Sequence, residues 1–179
     1  LAPRPGERAA LVVRFAAGAA DDGERPGLTR VAQHALVEAN ARYPYEALVR
    51  EVFAADGTLA LETGIGEAVF VLEADRRDFD RLAGILLDLV LAPSLDPRGH
   101  RRAREHAMND ERESTGRSDW VALIAPKVID EGNWGNAPYG ELESLERITV
   151  DDVQAHLRGP LSPANATVVS LPNTRVHTI

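Results

Sequence analysis

An α+β fold, a mainly antiparallel sheet with helices packed on one face, follows from three features of the sequence. β-rich apolar runs stand near both ends and in the middle of the chain, helical periods fill the intervals, and a Gly-Ile-Gly turn joins two central runs closely enough to pair as an antiparallel hairpin. The first run, "AALVVRFAAGA" from Ala9 to Ala19, reads as a buried strand, followed by the turn "DDGERPG". Pro26 and Gly27 precede a helix from about Leu28 to Glu38, and "PYEALVREVFAADG" predicts a second helix stopped by Gly57. "TLALETGI" and "EAVFVLEAD", within Thr58 to Asp75, are the hairpin strands around Gly64 and Gly66. That turn leads into a strand and not into a helix N-terminus, so it makes a poor phosphate loop.

The next helix has the clearest amphipathic face, with Phe79, Leu82, Leu86 and Leu89 spaced by three or four, and it ends before Pro93. A charged helix from about Pro97 to Gly116 places Ala103, Ala107 and Glu111 at successive intervals of four. "DWVALIAPKVIDEG" continues as helix, and "APYGELESLERI" holds a turn and a short helical piece. "TVDDVQAHLRG" begins on a Thr149 N-cap with Asp152 in its first turn, and "ATVVSLP" from Ala166 reads as the last strand.

With 179 residues the chain is expected to form one domain, able to bury roughly 70% of its unfolded surface. Its 44% hydrophobic and 27% charged residues are globular proportions, with no apolar run long enough for a membrane span. A formal charge of -8 argues against a nucleic-acid surface, and the basic stretch Pro97 to His106 reads as a solvated helix face. The absence of cysteine removes disulfides, thiolate metal sites and cysteine nucleophiles together, and leaves the compartment open.

The chemistry centres on Arg30-Val-Ala-Gln-His34. With two substitutions undone these five residues would be His-x-x-Glu-His, the inverted zinc motif in which two histidines hold the metal and the glutamate is the general base. A third ligand in such a site comes from a distant element, and Glu111 is the candidate. The passages "GAADDGERPGLTRVAQHAL", "HAMNDERES" and "NAPYGELESLERITVDDVQAHLRGPLSPANATVVSL", in that order, resemble the N-terminal half of a pitrilysin or insulinase type zinc metallopeptidase, the group that includes the mitochondrial processing peptidase. The resemblance spans nearly the whole chain. It implies a peptidase half-domain, one lobe of a longer chain or assembly in which paired halves enclose a chamber.

By position, the resemblance puts Arg30 at the first zinc histidine, Gln33 at the general base, His34 at the second histidine and Glu111 at the carboxylate ligand. A guanidinium has no lone pair to donate and repels a cation, and catalytic zinc normally keeps three protein ligands plus water. An amide cannot take the proton of the attacking water, help worth about 100-fold to 10,000-fold. Arg104 stands where relatives carry a glutamate that supports the site. No metal or other cofactor is therefore expected, with Arg30, His34 and Glu111 a vestigial site closed by an Arg30–Glu111 ion pair.

Plainer readings accompany each residue. His34 is more often a hydrogen-bonded structural histidine, His100 and His106 are expected at the surface, and Glu111 alone is an ordinary helix glutamate. Pro138-Tyr139-Gly140 is a turn on any reading, Trp120 and Trp134 are core or half-buried anchors, and Asn165 ties down a loop. The favoured function is a catalytically inactive peptidase homologue whose partner is a homologous half-domain, a catalytic subunit or a peptide. The alternatives are an active zinc peptidase with an altered ligand set, His34 and Glu111 with His106, and an independent interaction domain.

Overall fold

The computed structural model describes residues 7–116 and 132–174. Strands β1 (Arg8–Phe15), β2 (Thr58–Thr63), β3 (Ala68–Asp75) and β4 (Ala166–Thr174) form one antiparallel sheet in the order β2-β3-β1-β4. Helices α1 (Leu28–Glu38), α2 (Tyr45–Ala54), α3 (Arg76–Leu91), α4 (His100–Gly116), α5 (Leu142–Arg147) and α6 (Val150–Arg158) complete the described architecture. The expected helix "DWVALIAPKVIDEG" and Trp120 lie outside the described residues, apart from that segment's last glycine.

Alternation in the strands decides which face is covered. Ala68, Phe70, Leu72 and Ala74 of β3 are buried while the residues between them are partly exposed, and Val13 pairs with Phe70 in register. Phe15 meets Phe70 edge-on at 6.2 Å between ring centroids. Against this face pack Leu82, Leu86 and Leu89 of α3, the stripe the sequence predicts, together with Leu36 of α1.

β1 is shorter than expected. The chain bends after Phe15, with the Ala16 N–H bonded to the Asn165 carbonyl, then a short 3-10 turn at Ala19–Asp21 lies against the β2–β3 turn through Ala19 N–H to Gly64 O and Ala20 N–H to Ile65 O. Small apolar residues here read as strand, but their backbone groups are satisfied by the hairpin tip instead. The Thr149 capping box forms as expected, with Asp152 N–H to Thr149 Oγ1 at 3.3 Å and Thr149 N–H to Asp152 Oδ2 at 2.8 Å. Trp134, expected as an anchor in the core or half-buried, is 56% exposed.

α1 is the centre of the molecule. All eleven of its residues are buried, polar ones included, because α3, α4, α6 and β2 all pack against it. Its N-terminus is capped from a distance: Asp22 accepts from the backbone N–H groups of Gly27 and Thr29, both at 2.7 Å, and from the Thr29 hydroxyl at 2.6 Å. Gly27 has φ +97° and Gly140 φ +79°, and a Cβ on Gly140 would stand 2.5 Å from the Gly27 Cα. Only two glycines permit this contact, and it seats the Pro138-Tyr139-Gly140 turn on the start of α1.

Candidate functional site

The motif residues of α1 face two different neighbours. Arg30 and His34, four apart and so on one side of the helix, look toward α4, while Gln33 looks toward the sheet. Arg30 Nε and Nη2 donate to Asp110 Oδ2 at 2.7 and 2.5 Å, and Nη1 donates to the Leu61 carbonyl at 2.7 Å. The guanidinium also lies 5.5 Å from the centroid of the Tyr139 ring, which the Gly27–Gly140 contact holds in place. His34 Nε2 meets the same Asp110 oxygen at 2.6 Å.

The carboxylate that closes this array is Asp110, one position before the Glu111 expected there. Neighbouring residues diverge by about 100° around a helix, so the choice is set by how α4 sits on α1. Ala103 and Ala107 are fully buried in that contact as expected, and the stripe continues three residues on, to Asp110, instead of four. The pair expected as Arg30–Glu111 is thus Arg30–Asp110; Glu111 is half-buried beside it. Arg104 is turned to α5, where it donates to the Glu146 carbonyl at 2.8 Å.

Gln33 is fully buried and all its groups are engaged. Its Nε2 donates to the carbonyls of Glu62 and Val69 at 3.0 and 3.2 Å, and its Oε1 accepts from the Thr63 hydroxyl. The amide therefore stitches α1 to the β2–β3 hairpin and offers nothing to a water molecule.

One turn along α1 lies a second array. Glu38, 5% exposed, receives both His34 Nδ1 at 2.7 Å and His106 Nδ1 at 2.8 Å on its Oε1. The two imidazoles stand edge-to-face at 5.9 Å. His106, expected at the surface, is partly drawn in: its side chain is 40% exposed, with its ring 6.2 Å from that of Tyr45. His100 lies apart, with Nε2 3.0 Å from the Ile148 carbonyl. Sequence reading missed Glu38, although its spacing of four from His34 on a helix is a visible signal.

Burial opposes charge on His34, but the carboxylates of Asp110 and Glu38 at its two ring nitrogens outweigh it and raise its pKa above the ordinary histidine value. Burial likewise works to raise Asp110, yet His34 and Arg30 together hold it below the usual carboxylate range. His34, Glu38, Tyr45, His106 and Asp110 line the polar end of a cavity of about 510 Å³ between α1, α2, β2 and α4, whose other walls include Leu48 and Phe53.

The motif position does not fit a catalytic zinc. Arg30 has no lone pair to donate and presents a positive group bonded twice to Asp110, the carboxylate that faces His34.

In structure comparison the chain resembles a peptidase M16 inactive domain from Pseudomonas fluorescens, with TM-score 0.73, 18% identity and 93% of the chain covered. It also resembles a protease from Helicobacter pylori (TM-score 0.79, 13% identity, 94% covered) and pitrilysin (TM-score 0.82, 17% identity, 96% covered). The fold is that of a pitrilysin-type half-domain. The chain spans 42%, 42% and 19% of those three chains respectively. No protein-family model matches the sequence, and a search of curated proteins finds no match.

Proposed function

We propose that the chain is a catalytically inactive homologue of a zinc metallopeptidase, serving as the non-catalytic, peptide-binding or structural half of a peptidase assembly. The observation that carries this reading is the Arg30–Asp110 pair, which supports it because a guanidinium bonded to that carboxylate has no lone pair to offer a metal. Gln33 supports it from the other side, because an amide locked to Glu62, Thr63 and Val69 can neither take a proton nor position a water. One of the similar structures is itself described as an inactive domain.

The test is digestion of a peptide library by the purified chain, with and without added zinc. No cleavage above a protease-free control is expected. Zinc-dependent, chelator-sensitive cleavage that disappears in His34→Ala overturns the proposal.

A further inference from the structure

We propose that His34, Glu38 and His106 form a binding site for a zinc-class divalent ion, displaced by one turn of α1 from the motif position that Arg30 blocks. Two imidazole nitrogens and a carboxylate oxygen converge there within 4.8 Å of one another. Two histidines and one glutamate are a three-ligand set that zinc accepts, leaving the fourth position open. Here that position opens on the cavity at the end of α1.

The geometry needs little adjustment. Tetrahedral zinc with bonds of about 2.0–2.2 Å holds its ligand atoms roughly 3.4 Å apart. His34 Nδ1 and His106 Nδ1 stand 2.7 and 2.8 Å from Glu38 Oε1, so the ion takes the place of two shared protons and spreads each of these two contacts by about 0.6–0.7 Å.

Two further features bear on how the ligand atoms are held. Glu38 Oε2 is buried without a hydrogen-bond partner, 4.0 Å from an Arg102 Nε that is equally unsatisfied. Arg102 is the cation nearest that oxygen, so Oε2 faces the arginine and leaves Oε1 as the ligand atom. The other ring nitrogen of His34 already faces Asp110 at 2.6 Å, the carboxylate–histidine arrangement that orients metal-ligating imidazoles. Arg30 thereby has a positive role, since its two bonds hold Asp110 against His34. Both neighbouring arginines have carboxylate partners, Arg30 with Asp110 and Arg102 with Glu46 at 2.7 Å, so neither leaves a net positive field over the site.

The experiment is titration of the whole chain with Co²⁺, read by visible absorption, followed by displacement with Zn²⁺. One equivalent with bands of a nitrogen and oxygen site is expected. His106→Ala, at a half-exposed position, should weaken binding by more than the roughly 10- to 100-fold that loss of an outer-shell partner costs, and Asp110→Asn by about that amount. His100→Ala, at the start of the same helix, should leave affinity unchanged. Absence of uptake by the folded chain overturns the site, as does binding that survives His106→Ala. Uptake combined with peptide cleavage supports the site while overturning the proposed inactivity.

Discussion

At Asp110 one carboxylate oxygen answers three donor nitrogens, two from Arg30 and one from His34, so Asp110 and His34 each act on the other's charge with the Arg30 guanidinium beside both. His34, with its pKa raised above 6.5, contributes stability that is complete below pH about 6.5 and is lost as pH rises through the folded-state value. Asp110, lowered from 3.8, contributes stability present above that pH and lost as pH falls through its depressed value. Thermal unfolding with chelator present should therefore show an alkaline decline that His34→Gln removes, and an acid decline that Asp110→Asn reduces. Unchanged slopes in both variants would sink the assignment of these groups. Arg30→Met should cost about 1–3 kcal/mol for the lost charge-assisted bonds, toward the lower end because Asp110 keeps its bond to His34 and its side chain is 26% exposed. Denaturant midpoints with an unchanged slope would measure it. The sequence made Arg30 and His34 legible as one helix face. It could not separate Asp110 from Glu111, because that choice rests on how two helices are rotated against each other.

At the scale of elements, the start of α1 carries a buried polar group in place of an ordinary N-cap. Burial pushes Asp22 up to about 6, against the opposing hydrogen bonds from Thr29 and Gly27, and pushes His156 of α6 down to about 4. The Thr29 hydroxyl joins them, 2.6 Å from Asp22 Oδ1 and 2.9 Å from His156 Nε2. A raised carboxyl favours folding as pH falls from about 6 toward 3.8, whereas a depressed histidine disfavours it as pH falls from 6.5 toward about 4. Near pH 5 the folded pair holds one proton on Asp22 and the unfolded pair holds one on His156, so their slopes cancel. His156→Gln should then make stability rise between pH about 6 and 4, and Asp22→Asn should make it fall more steeply there. Melting temperatures across that range decide the matter; parallel curves for both variants would contradict the coupling. Little of this was visible in "DDGERPG", where Asp22 looks like any turn residue. The Thr149 cap and the α3 stripe were legible because their partners lie within a few residues, whereas Asp22, Thr29 and His156 meet only after the chain has folded.

For the whole molecule, the uneven covering of the sheet matters most. Helices shield the inward face of β1 and β3, but β4, an edge of the described sheet, keeps Val168, Val169 and Leu171 each 43–44% exposed. Val168 pairs with inward-facing Val13 and Val169 with outward-facing Val12, so β4 is bare on both faces. An edge strand with apolar residues on both sides and no lysine to blunt it is a template for pairing with another chain. This gives a physical basis for a partner-seeking face, of the kind the proposed assembly requires. Light scattering should accordingly show the mass of the chain rising with concentration, and Val169→Lys should suppress the rise without lowering the melting temperature, since that side chain is outside the packed core. If the chain stays monomeric at every concentration while Val169→Lys changes nothing, β4 is not an association surface, and the independent-domain alternative gains the advantage over the paired-half reading.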